Sequence, residues 1–426
     1  MARSLTPRDC HALMNLLVKE ATGQDATLQA VDASTFVSCG EAVLASGMEN
    51  TLNALSLILG RTFVAARPYN AKLNILNRIS TGEYSHRLRK ISFYSKDAVA
   101  SGDWNTQSYT NLSPGFTAGE NESGGTPQST KSQWEQMPAV PLELNFAGQD
   151  VWEDGLTRYE YQVRQAFRSE ADFAEFVTGM MVEKGNDIES QKEQFNRLAV
   201  LNRIAGLYDL GAAVVAKGLR RNMTYEYNQK FGTSYTTAQL LGAQLKSFLE
   251  FFVAEFKKES DWMTNRSATR HWSPAKTIGG VSYTLLRHTP KDRQRAILYR
   301  PLITESEARV MPEIFNPQYL NINNYEGVDY WQNPNDPMNI DFIPAIPDTT
   351  AAGFPTVSGS EVKDIVVLGL LYDADALMID YQLESATATA LEARKHYSTL
   401  WWSFSKNIID DYTENSVLFF MEDPGE

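Results

Sequence analysis

The chain has 426 residues, of which 43% are hydrophobic, 21% charged and 11% aromatic, which excludes disorder over most of the length and suits two or three domains. Its net charge of −13 argues against a protein whose main business is wrapping DNA. Apolar runs such as Ile365 to Leu371 are far shorter than the ~20 residues that span a bilayer, and two cysteines, Cys10 and Cys39, are too few to staple the chain, which fits a reducing cytosol.

In chain order, residues 7–22 predict a helix, with Thr6 as N-cap and Pro7 at the first helical position. A second helix is expected between Ser34 and Thr62, where Phe36, Val43, Leu44, Leu52, Leu55 and Leu59 recur at helical spacing. His86 to Ser95 reads as a strand rich in Arg and Lys. Val140, Leu142, Leu144 and Phe146 then alternate with polar positions, and Pro141 confines that strand to an edge or a bulge. Between them, residues 96–139 are polar, with Trp104, Tyr109, Phe116 and Trp134 set singly along the loop. Isolated aromatics on a polar arm point to docking on another surface.

Ser169 to Leu210 carries the longest helical signal. It opens with a Ser-x-x-Asp capping pattern, and Phe195, Leu198 and Leu201 are expected to face a sheet. A weaker helix is expected over 211–231 and a further one over 238–258. Ala296 to Ile303 reads as a strand, and the proline-rich stretch 316–359 as irregular loop. Ile365 to Tyr372, Thr399 to Phe404 and Ser416 to Met421 read as buried strands.

Charge is unevenly spread. Residues 61–100 hold eight Lys/Arg against two acids, 8 − 2 = +6, whereas residues 301–426 hold five against twenty-one, 5 − 21 = −16. That asymmetry suggests complementary packing within or between copies. Arg87, Arg89 and Lys90 crowd one strand, and Asp410, Asp411 and Glu414 are candidate partners in the acidic third.

No phosphate-binding glycine loop, zinc pattern or nucleophile motif is present, so neither a cofactor nor a catalytic residue is assigned. Asp373-Ala-Asp375 follows a strand. A metal-dependent hydrolase built on this pair is the competing enzyme reading, and capping of the next element is the plainer one.

Several segments resemble major capsid proteins of tailed bacteriophages. They are Phe36 to Leu44 with Glu49 to Ser56, Val200 to Gly206, Arg287 to Lys291, Glu313 to Leu320, Gly327 to Gln332 and Glu414 to Phe419. The resemblance implies an α+β fold, the Johnson fold shared with herpesvirus capsid floors and encapsulins. It implies an N-terminal arm at 1–70, an extended hairpin (the E-loop) at 84–150, and a peripheral domain with a spine helix at 151–210. An axial domain at 211–360 would carry an insertion at 266–360, and 361–426 would return to complete both sheets. The function implied is self-assembly into hexamers and pentamers of an icosahedral shell around double-stranded DNA, with no enzymatic activity. An encapsulin-like compartment is the alternative within this class. Portal, scaffolding and decoration proteins are the implied partners, with non-specific DNA contact, no membrane and a place in the virion after assembly in the host cytoplasm. Interface candidates are Arg87, Arg89, Lys90, Trp104, Tyr109, Trp134, Asp410, Asp411 and Glu414. The cations would meet either acids of another copy or packaged DNA. Lys96 and Lys131 lie in the loop, but no motif marks either as a cross-linker.

Overall fold

The computed structural model describes residues 7–22, 29–47, 50–51, 54, 72–79, 87–95, 139–147, 150–213, 218–274, 276–278, 281–309, 325–348, 354–392 and 394–423. It separates into two compact units. The larger holds the described parts of 1–88, 145–272 and 287–426, and the smaller those of 89–144 and 273–286.

In the larger unit, helix α1 (Pro7–Thr22) places Cys10, Leu13, Met14, Leu17 and Val18 on one buried stripe at helical spacing. Helix α2 (Ala33–Ala45) starts at an Asp32 capping box, in which the carboxylate accepts from Thr35 N at 2.8 Å. The expected continuation to residue 62 is broken at Gly47, whose φ of +105° suits glycine and ends the helix. Short helix α3 (Glu160–Ala166) and the start of α4 (Glu170–Ala213) close a satellite core around Phe36, Cys39, Val163, Phe167 and Phe173.

Helix α4 is the expected spine, 44 residues long, and Ser169 Oγ accepts from Asp172 N at 3.1 Å at its start. Phe195 and Leu201 are buried, but Leu198 is 41% exposed. The expectation for Leu198 is therefore corrected: around it Val200, Leu201, Ile204 and Ala205 are buried on several sides of the helix, and Leu198 is left toward solvent.

After α4 the expected weak helix over 211–231 is instead strand β5 (Arg220–Asn222) followed by α5 (Met223–Phe231), capped by the Asn222 side chain. The expected helix at 238–258 is two, α6 (Thr237–Leu241) and α7 (Leu245–Trp262), interrupted at Gly242. The strand expected at 296–303 ends early: β8 (Gln294–Tyr299) passes directly into α8 (Arg300–Arg309), with Pro301 in the first turn where no N–H is needed.

The described part of 316–359 is not wholly irregular. It holds β9 (Tyr325–Val328), β10 (Asn339–Phe342), β11 (Ala345–Pro347) and β12 (Thr356–Ser358), whose ladders come from neighbours more than from their own pattern. The last strands are β13 (Val362–Asp373), β14 (Leu377–Ala388), β15 (Tyr397–Asp410) and β16 (Ser416–Met421).

Two sheets result in this unit. One runs β5-β16-β13-β8-β9 with β10 alongside the start of β13, and every residue of β16 is buried. The other runs β1-β14-β15-β4, with β1 (Asn77–Arg78) and β4 (Asp150–Tyr159) at its edges. Helix α4 packs on strands of both sheets. The main core gathers Ile204, Leu207, Phe248, Phe252, Leu370 and Phe419.

The smaller unit is built on β2 (Arg87–Phe93) paired with β3 (Pro141–Ala147), as expected, with Pro141 opening its strand. A short β6 (Lys276–Ile278)–β7 (Val281–Tyr283) ribbon joins it, and Ser95 bridges to Thr284. No helix among the described residues is long and apolar enough to cross a membrane.

Two outcomes follow. Leu201→Ala should cost about 2–4 kcal/mol in chemical denaturation, and Leu198→Ala should stay within about 0.5 kcal/mol, although the sequence periodicity puts both on the inward face. Hydrogen bonds from Thr35 and Ser34 lower the Asp32 carboxyl from 3.8 to about 2. A depressed folded pKa makes its contribution fully present above 3.8 and lost as pH falls through about 2, so hydrogen exchange across residues 33–45, corrected for intrinsic rate, should accelerate in that window. Asp32→Ala should remove the step.

Candidate assembly surfaces and the buried hub behind them

The middle of α4 carries Asn202, Arg203 and Gly206 to the ends of β15 and β16. Arg203 is fully buried. Its Nη1 donates to Asp410 Oδ1 at 2.8 Å, and its Nη2 donates to Glu414 O at 3.1 Å and to Ser416 Oγ at 2.5 Å. Asn202 Nδ2 donates to Asp410 Oδ2 at 2.7 Å, and its Oδ1 accepts from Ala345 N at 2.7 Å, which ties β11 to the helix. The Tyr412 ring lies 4.7 Å from the Arg203 guanidinium carbon, and its hydroxyl donates to Asn202 O at 3.1 Å. Gly206 makes that approach possible, since a Cβ there would overlap the Tyr412 hydroxyl. Burial pushes the Asp410 carboxyl up, opposed by the Arg203 charge and its hydrogen bonds.

The C-terminal acids are therefore committed inside the chain. Asp411 is 1% exposed and accepts from Thr413 N and Oγ1 at 2.8 and 2.7 Å, closing a turn. Glu414 is buried and pairs with Arg287 at 3.3 Å. Asp410, Asp411 and Glu414 are thus engaged within their own chain and do not present surface carboxylates to Arg87, Arg89 and Lys90 of another copy, and withdrawing Asp410 would strand the buried Arg203 cation.

The hairpin β2–β3 is different in character. Arg89 Nη2 pairs with Glu143 Oε2 at 2.8 Å, and both side chains are exposed. Lys90 is half-buried, and Arg87 begins β2, its side chain lying outside the described residues. One face buries Ser92, Tyr94, Val140 and Leu142, with Lys276 Nζ at 5.8 Å from the Tyr94 ring. The other leaves Ile91 50% and Phe93 60% exposed beside the Arg89–Glu143 pair. Trp104, Tyr109 and Trp134 lie outside the described residues.

Sequence reading missed a second surface, the outer face of the sheet at β4 and β15. Trp401 lies over Gly155, Thr157 and Thr399 hydroxyls meet at 3.0 Å, and Tyr159 contacts Tyr161 and Tyr397 at centroid distances of 5.7 and 6.1 Å. A cleft of about 850 Å³ adjoins it, lined in part by Leu156, Gln162, Arg168 and Lys184. Glu160 accepts from Arg164 and His396, and these contacts, Arg164 foremost, hold its carboxyl below the usual range. Alternation in β4 gave no apolar signal because its inward positions include Asp154 and Arg158, the former paired with Lys184 at 2.7 Å.

Asp373 and Asp375 do not converge as a ligand pair: Asp375 pairs with Arg293, and Asp373 Oδ1 accepts from Asp375 N at 2.9 Å in a turn between strands. Among the described residues no group of three His, Cys, Asp or Glu side chains is placed to hold a metal.

No family model matches the chain, and no curated protein matches it. Solved structures do. A chain in the structure of the head fiber and inner core protein gp22 of native bacteriophage P68 is similar over 83% of this chain and 85% of its own, with a TM-score of 0.51 and 8% identity. The capsid structure of Staphylococcus phage Andhra aligns over 83% and 84% with a TM-score of 0.48 and 10% identity. The mature capsid of bacteriophage PhiM1 aligns over 84% and 88% with a TM-score of 0.42 and 9% identity. The P68 likeness establishes the fold, the α+β phage-head fold that the sequence resemblance implied.

Arg203→Met should destabilise the protein by about 3–5 kcal/mol in chemical denaturation, because Asp410 is left buried and unpaired. Adding Asp410→Asn should recover part of that loss. A double variant as unstable as the sum of the two singles would show no coupling through the hub.

Proposed function

We propose that this chain is a major capsid protein, assembling as hexamers and pentamers into an icosahedral head shell that encloses phage double-stranded DNA. The observation that carries this reading is the phage-head fold shared across four-fifths of the chain. The fold supplies what a shell subunit needs: a stiff body tied by one long helix, and an exposed hairpin whose apolar positions Ile91 and Phe93 have no cover among the described residues. In this reading residues 1–70 form the arm, 84–150 the E-loop, 151–210 the peripheral domain and 211–360 the axial domain with its insertion. Residues 361–426 return to complete both sheets. Portal, scaffolding and decoration proteins would meet the assembled shell, DNA would be contacted non-specifically, and assembly would take place in the host cytoplasm. No catalytic step is assigned.

Electron microscopy of the purified protein tests the proposal. Shells or ring-shaped capsomers are expected, whereas monodisperse small particles at every concentration and ionic strength would overturn it. Phe93→Glu should then abolish shells without changing the unfolding midpoint, since the side chain contributes little to its own unit. Shells that carry protein cargo in place of DNA when isolated from cells would favour the compartment alternative.

A further inference from the structure

Beneath the turn between β13 and β14, four side chains from four parts of the chain meet out of reach of water. Thr289 Oγ1 donates to Asp373 Oδ2 at 2.7 Å. Asn415 Nδ2 donates to the same threonine oxygen at 3.2 Å, and Asn415 Oδ1 faces His271 Nδ1 at 3.2 Å. His271 and Thr289 are 0% exposed, Asn415 1% and Asp373 4%. The backbone holds each part in register. Thr289 N donates to Met263 O at 2.7 Å, and Asp373 N donates to Asn415 O at 2.9 Å. The second Asp373 oxygen is occupied by Asp375 N, which keeps Oδ2 aimed at the threonine.

We propose that this cluster is an autocatalytic modification site, at which Thr289 and Asn415 become joined by a side-chain ester. The arrangement is that of an activated nucleophile: a hydroxyl on a carboxylate base, the base itself oriented by a third group, and a side-chain amide hydrogen-bonded to the hydroxyl. Thr289 Oγ1 attacks the Asn415 side-chain carbon while Asp373 takes the hydroxyl proton. Charge that develops on Asn415 Oδ1 is met by His271, whose Nδ1–H donates in that tautomer. Asp373 returns the proton to Nδ2, the carbon–nitrogen bond breaks, and ammonia leaves. One C–O bond forms and one C–N bond breaks, with no change of oxidation state and no co-reactant. Fixed positions supply the proximity, and the exclusion of water protects the product from hydrolysis. The product would link the segment before β8 to the segment before β16, and like any cross-link between distant residues it would restrict the unfolded chain. This inference does not depend on the assembly function.

Intact-mass spectrometry of the full chain, after prolonged incubation at neutral pH, decides it. Wild-type protein should be lighter by one ammonia, and its digest should contain one joined peptide holding Thr289 and Asn415, which hydroxylamine separates. Thr289→Ser should retain the deficit, and Thr289→Val and Asp373→Asn should lack it. Cyclisation of Asn415 onto its own backbone loses the same ammonia but leaves the two peptides apart, and that result would overturn the proposal. So would wild-type protein at full mass with both peptides free, which would leave the four groups as a hydrogen-bonded network. Because the wild-type digest is decisive, a variant that fails to fold does not blunt the test.

Discussion

The buried guanidinium of Arg203 is the constraint around which the larger unit is arranged. A cation removed from water is tolerated only when acceptors surround it, and here they come from the ends of two strands: the Asp410 carboxylate, the Glu414 carbonyl and the Ser416 hydroxyl. Meeting that demand brings β15, β16 and the helix to one point. The demand propagates further, because Asp410 also accepts from Asn202, whose amide holds β11, and because Tyr412 reaches over the guanidinium only where residue 206 has no side chain. The segments Val200 to Gly206 and Glu414 to Phe419, far apart in the chain, are two sides of this one hub.

Around the hub, apolar packing divides into a main core, with both faces of β13 and β16 covered, and a satellite core where α1 and α2 close on the start of α4. The long helix runs through both, so the larger unit resists deformation along its length. The hairpin is the opposite case. It buries the face of Ser92, Tyr94, Val140 and Leu142 and leaves Ile91 and Phe93 outward. Ile91 and Phe93 thus form an apolar strip that no side chain among the described residues covers.

Hydrophobic periodicity made some of this readable in advance. Helix α4 was legible because its apolar positions recur over many turns, and β13 and β16 because fully buried strands are continuous apolar runs. Strands β4 and β14 were not, since their inward positions include Asp154, Arg158 and Asp380, polar groups that enter a core only once a partner is supplied. The acidic C-terminal third shows the same limit. Its charge count is plain in the sequence, but whether Asp410 and Glu414 face solvent depends on where Arg203 and Arg287 arrive.

By itself, then, the sequence determined the strongest periodic elements, the Ser169 cap of α4 and the absence of familiar catalytic motifs. Each of these is a local property of a few neighbouring residues and the backbone they share. Tertiary structure alone decided that Leu198 of α4 stayed exposed, which charges were consumed inside the chain, and that His271, Thr289, Asp373 and Asn415 met. Those outcomes depend on groups far apart in the chain, and a hydrogen bond or a buried charge is settled by distance in space, of which sequence separation carries no record.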